Sequence, residues 1–119
     1  MRLVHEPVSG GASTLASTVE TADSLLEKAR GLMFRRSLPP EYALAFRFST
    51  VRRRTIHMLF VFVPLDVVWV VDGTVRHVER LESWHGFASG EADLLLELPA
   101  GAADAVEPGD HVRLEAEGG

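Results

Sequence analysis

Residues 57–73, HMLFVFVPLDVVWVVDG, are the least polar stretch of the chain, yet Pro64 and Asp66 stand in its middle. The apolar run 58–71 is shorter than the roughly 20 residues needed to cross a bilayer. Proline breaks a helix and a carboxylate is costly in lipid, so no membrane span is expected. The pattern instead predicts two strands around a bend. Residues 55–63 lack strict alternation, as in a strand covered on both faces, and Pro64 ends them. Residues 67–71 are β-branched and aromatic, Asp72-Gly73 is a strong hairpin-turn signal, and residues 74–81 alternate on a mixed face that borders solvent.

The same patterning extends outward. Residues 2–5 and 14–20 carry short strand-compatible runs joined by Ser9-Gly10-Gly11, which favours a hairpin. Ser24 and Glu27 have capping-box spacing, Arg30 suits a helix C-terminus and Gly31 the left-handed cap, which predicts a helix of about two turns. Pro39-Pro40 marks a connector. In residues 43–48, Leu44, Phe46 and Phe48 alternate with Ala43, Ala45 and Arg47, as in a half-buried strand with the larger set inward. Arg52-Arg53-Arg54 interrupts the apolar pattern. Residues 82–93 have the length of a loop, 94–98 form a strand stopped at Pro99, 100–106 suit one helical turn, and 111–115 make a last strand before a flexible Gly tail. Seven or eight short strands and one helix do not supply βαβ crossovers. The expected fold is mainly β, at the margin of α+β: a compact, mostly antiparallel barrel or sandwich.

At 119 residues and 46% hydrophobic, the chain suits one domain with its own core. It has no cysteine, so disulfides, thiolate chemistry and Cys-ligated metals are excluded, which suits a reducing cytoplasm. No export signal opens the sequence. Net charge is −5 and Lys28 is the one lysine. An acid excess with few lysines fits solvation in high salt, and a GC-rich genome gives the same bias. Either way, nucleic acid is an unfavoured partner. The expectation is a cytoplasmic monomer.

Ala29-Arg30-Gly31-Leu32-Met33-Phe34-Arg35, then His57-Met58 leading to Pro64-Leu65-Asp66-Val67-Val68, then residues 94–101 (LLLELPAG) and Gly109-Asp110 form an ordered set. Together they resemble the domain of unknown function 192 family over residues 15–115, closer to its archaeal-type members. Leu59-Phe60-Val61 replaces the polar tripeptide that many members carry. The resemblance implies a small β-rich fold with a helix after the first strands, in which Arg30, Gly31, Met33, Met58, Pro64, Glu97 and Gly101 are structural positions. It implies no established activity.

The chemistry-bearing candidates are Asp66, His57, Arg52, Arg53, Arg54, Trp84 and His85. A carboxylate between apolar strands must be hydrogen-bonded or paired if buried, and Arg52–Arg54, Arg30 or the backbone of the bend are its expected partners. One arrangement is a non-enzymatic binding module for a small ligand, anions included, with the arginines, the Pro64–Asp66 bend and the Trp84–Phe87 loop converging on one mouth. A second is an acid/base or metal-assisted hydrolase using Asp66 with His57 or His85. A third is an accessory domain in which Trp84 and Phe87 mark a protein-partner surface. The five histidines lack metal-ligand spacing and no nucleophile or phosphate-loop motif occurs, so neither metal nor cofactor is expected and no catalytic residue is assigned.

Overall fold

The structure is a computed structural model that describes residues 1–22, 38–58 and 61–116. The helix expected around residues 24–31, with Arg30, Gly31 and Met33, lies outside the described residues. Eight strands are described: β1 (Arg2–Glu6), β2 (Ser13–Ala16), β3 (Thr18–Ala22), β4 (Tyr42–His57), β5 (Leu65–Val71), β6 (Thr74–Leu81), β7 (Phe87–Pro99) and β8 (His111–Glu115). They form one sheet in the order β2-β1-β8-β6-β5-β7-β4-β3. All pairings are antiparallel except β3 with β4. The mainly β, mostly antiparallel expectation therefore holds.

The sheet's two end strands are neighbours in the chain. β2 pairs with β1, β3 pairs with β4, and Ser17 alone separates them. The N–H groups of Ser17 and Thr18 both donate to the Glu41 carbonyl, at 3.1 Å each. The single strand expected over residues 14–20 is thus broken where it changes partner, and the bend brings the two ends of the sheet together.

β5 explains the continuous apolar run. Leu65, Val67 and Trp69 enter one buried cluster, while Val68 and Val70 alternate into a second on the opposite face. β4 behaves likewise: Leu44 and Phe46 join the first cluster, Ala43 and Ala45 the second. The half-buried expectation for residues 43–48 gives way to burial on both faces through Phe46, with alanine on the side where the second cluster packs closely. Ala103 and Val106, from the connection between β7 and β8, complete that second cluster. Residues 99–106 make successive i to i+3 turns in place of the expected helical turn.

Three further boundaries differ from expectation. The strands read on either side of Arg52–Arg54 are one strand, and the arginines lie within β4. The strand expected over residues 55–63 ends at His57, because the Met58 carbonyl accepts from Val61 and Trp84 and turns the chain. The loop expected over residues 82–93 is largely β7, paired from Phe87 to Ala92 with β4. Its low apolar content has a packing cause. Beyond the Arg47–Leu94 pair, residues 48–51 of β4 stand against the single residue Asp93 of β7, and past this irregularity β4 and β7 continue, among the described residues, as a two-stranded arm. The arm folds over the first cluster: Trp69 Nε1 donates to the Arg54 carbonyl at 2.9 Å, and Ile56, Ala88 and Ala92 are buried there. A Cβ on Gly90 would lie 3.1 Å from the Trp69 indole, so position 90 on the arm's inner face has room for little more than glycine.

Candidate functional site

Asp66 is 3% exposed and lies on the same face of β5 as Val68 and Val70. Its register partner on β6 is Arg80, whose Nε donates to Oδ1 at 2.8 Å. Oδ2 accepts from the N–H groups of Gly101 and Ala103, at 3.0 Å each. Arg80 also pairs with Asp104, and the hydrogen bond and charge of Asp66, then those of Asp104, raise its pKa above the usual guanidinium value. The partners are thus Arg80 and the backbone of the turn after β7, in place of Arg52–Arg54. Gly101, at φ +97°, is required by that turn. The arrangement fixes a corner: a desolvated carboxylate holds the start of the β7–β8 connection to the β5–β6 hairpin.

The arm carries most of the other candidates on the opposite side of the sheet. His57 pairs with Phe87 at its free end. Met58 N–H donates to the Gly86 carbonyl at 2.9 Å, and Trp84 N–H contacts the carbonyls of Met58 and Val61 at 3.1 Å each. Trp84 holds φ +67°, an uncommon conformation for a bulky residue, and its ring meets Phe62 edge-on at 5.2 Å. A Cβ on Gly86 would come within 2.7 Å of Leu81 Cβ and the Glu82 carbonyl, so glycine is required at this crossing. Trp84 is 39% and Phe87 68% exposed, and His57 and His85 are exposed beside them. Pro64 is exposed, and Met58 is buried in the first cluster.

Arg52, Arg53 and Arg54 occupy the arm nearer the irregularity, opposite Ala92, Glu91 and Gly90. Arg54 donates to the carbonyls of Thr50 at 2.7 Å and Ala92 at 3.2 Å, and stacks 3.7 Å over the Phe48 ring. Burial, then the charge of Arg52, lowers its pKa. The structure thus brings His57, Trp84, His85 and Phe87 together, places the arginines further along the same arm, and puts Asp66 on the other face. Among the described residues, no three His, Asp or Glu side chains form a metal-binding group. A surface groove of about 160 Å³ lies elsewhere, lined by Arg2, Val4, Ala12, Ser13, Thr14 and Arg113.

Three buried ionisable groups, His5, Asp110 and Glu97, were not among the chemistry-bearing candidates. His5 Nε2 and Asp110 Oδ2 are 2.7 Å apart, and Asp110 also accepts from the N–H groups of Val8 and Glu107. These bonds, His5 first, draw the Asp110 pKa down to about 2. Glu97, a family position, pairs in register with Leu44 and Val67 and is 7% exposed. Burial pushes its pKa up to about 7. Period-2 alternation on β7 groups Glu97 with Glu91 and Asp93, as on a solvent face, so its burial runs against the local pattern, and nothing local marks His5.

The DUF192 family model, Uncharacterized ACR, matches residues 7–114. The chain belongs to this family. It is 31% identical over 102 residues to the UPF0127 protein PH1112 of Pyrococcus horikoshii, an alignment covering 80% of this chain and 85% of the relative. Two crystal structures share the fold of this DUF192 domain. One, a proposed transcription regulator from Sinorhizobium meliloti 1021, has TM-score 0.82 and 28% identity, with 94% of this chain and 91% of that one covered. The other, a protein of unknown function from Novosphingobium aromaticivorans DSM 12444, has TM-score 0.80 and 25% identity, covering 96% and 84%. The family is uncharacterised and carries no established reaction to this member.

Proposed function

We propose that this domain is a non-enzymatic binding module whose contact surface is the aromatic end of the arm and whose partner is another protein. The observation that carries this reading is the exposure of Phe87, 68%, beside Trp84 on a tightly bonded crossing. A ring left in water on the outer face of a strand loses the burial that its area offers, of order 2 kcal/mol, and regains it when a partner covers it. His57 and His85 supply a polar rim, the arrangement of an interface hot spot. Phe87 projects from the sheet, a shape that inserts into a partner's recess more readily than it lines a recess for a small molecule. The description of the Sinorhizobium relative as a proposed transcription regulator is in keeping with a role exercised through contacts.

The test is quantitative affinity capture from extract of the source cells, comparing wild type with Phe87→Ser. Both are first shown to unfold at the same urea concentration. A protein enriched by wild type and lost with the variant, then reconstituted from purified components, supports the reading. Identical captured sets overturn it.

A further inference from the structure

The aromatic end does not account for the arginines further along the arm. Alternation on β4 puts Arg52 and Arg54 on one face and Arg53 on the other. Across the ladder, Arg53 faces Glu91, whereas Arg52 and Arg54 face Ala92 and Gly90. One arginine therefore has an acidic ladder partner, and the ladder partners of the other two carry the smallest side chains. Arg54 is held by the carbonyls of Thr50 and Ala92 and by the ring of Phe48, contacts that fix a guanidinium without neutralising it. The Arg52 side chain makes no hydrogen bond or ion pair among the described residues. The two cations stand close enough for Arg52 to disfavour the charge on Arg54.

We propose that Arg52 and Arg54 form a subsite for a small, multiply charged oxyanion of the phosphate class. Such an anion between two guanidinium groups relieves their repulsion and accepts from the N–H groups that Arg54 has left over. Arg54 is already ordered by its carbonyl and ring contacts, so little side-chain freedom is lost on binding. The irregularity adds a second feature: residues 48–51 have no strand partner on β7 beyond Asp93, which leaves the chain beside the two arginines outside the ladder. A small anion fits better than a nucleic-acid strand. The whole chain carries −5, and Glu91 stands across the ladder from Arg53, so successive phosphates along a strand meet repulsion that a single compact anion avoids.

Titration of the full chain with inorganic pyrophosphate, followed through the arginine Nε–Hε signals by NMR and by calorimetry at fixed ionic strength, tests the subsite. A saturable shift of the Arg54 signal is expected. Arg52→Gln should weaken binding roughly tenfold, the scale of one charge-assisted contact. Arg52→Lys should fall between the two, because it keeps the charge and loses the fork, and Arg53→Gln should change affinity less than about twofold. Arg52 is exposed, and an unchanged unfolding midpoint confirms that each variant is intact. No saturable shift with wild type overturns the proposal. Equal loss in Arg52→Gln and Arg53→Gln overturns it in favour of diffuse charge. Tighter binding of a single-stranded oligonucleotide than of pyrophosphate, with a steep salt dependence, overturns the small-anion reading.

Discussion

At the scale of single residues, two buried carboxylates show opposite solutions to one problem. Asp66 has Arg80 and two backbone N–H groups. Asp66→Asn removes the charge that Arg80 faces while keeping the volume, and is expected to destabilise by about 2 kcal/mol, less than for a fully buried pair because Arg80 is half exposed. Urea unfolding at neutral pH measures it; superimposable curves would mean that the corner does not depend on the charge. Glu97 instead sits among Leu44, Val67 and Leu95, and burial raises its pKa to about 7 from 4.5. The folded state therefore holds the Glu97 proton more tightly than the unfolded chain does. That stabilisation is full below about pH 4.5, declines as pH rises, and is gone above about pH 7. Glu97→Gln removes the dependence and is expected to be more stable than wild type by up to about 3 kcal/mol at pH 8. Unfolding of both proteins at pH 5 and pH 8 decides it, and a variant less stable at pH 8 would show that the ionised carboxylate has a cationic partner. That Asp66 needs a partner was legible from its apolar surroundings. The partner's identity was not, because β5 and β6 shift register by one residue between Trp69 and Val70. Strict pairing outward from Asp72-Gly73 would set Asp66 against Glu79; the shift sets it against Arg80.

Among the elements, legibility followed the locality of the cause. The β5–β6 hairpin was readable because its turn is local: Asp72 and Gly73 take φ +49° and +78°, the conformations that this pair favours. The first half of β7 was not readable, since its small residues are there for a contact with Trp69, far away in sequence. The arm is consequently the element most sensitive to added volume. Gly86→Ala places a methyl group within 2.7 Å of both a backbone carbonyl and Leu81 Cβ, where neither neighbour yields without moving the main chain. A cost of about 2 kcal/mol is expected. Gly90→Ala meets only the Trp69 ring, at 3.1 Å, and is expected to cost less and to alter tryptophan fluorescence. Thermal unfolding ranks the two; a larger loss for Gly90→Ala would mean that the arm is anchored at Trp69 more rigidly than at the crossing.

For the molecule as a whole, the number of strands was legible and their order was not. Order depends on contacts such as β1 with β8, which joins the two ends of the sequence and leaves no local trace in either strand. The His5–Asp110 pair sits at that junction, and its other bonds run to the N–H groups of Val8 and Glu107, so one carboxylate ties the exit of β1 to the entry of β8. The Asp110 pKa is lowered to about 2 from 3.8, chiefly by its hydrogen bond to His5. A depressed carboxylate contributes stability that is fully present above the unfolded value and is lost as pH falls through the folded one. Asp110 therefore strengthens the β1–β8 junction at neutral pH, and its contribution fades between about pH 4 and pH 2. Asp110→Asn is expected to cost about 2 kcal/mol at pH 7, by weakening three bonds around a buried group, and to bring the variant and wild type together as pH approaches 2. Hydrogen exchange at pH 7 adds a spatial criterion: protection should fall most in β1 and β8 and least in β4, β5 and β7. A uniform loss across all strands would show that β1 and β8 do not form a separable unit of the sheet, and that Asp110 acts on the fold as a whole.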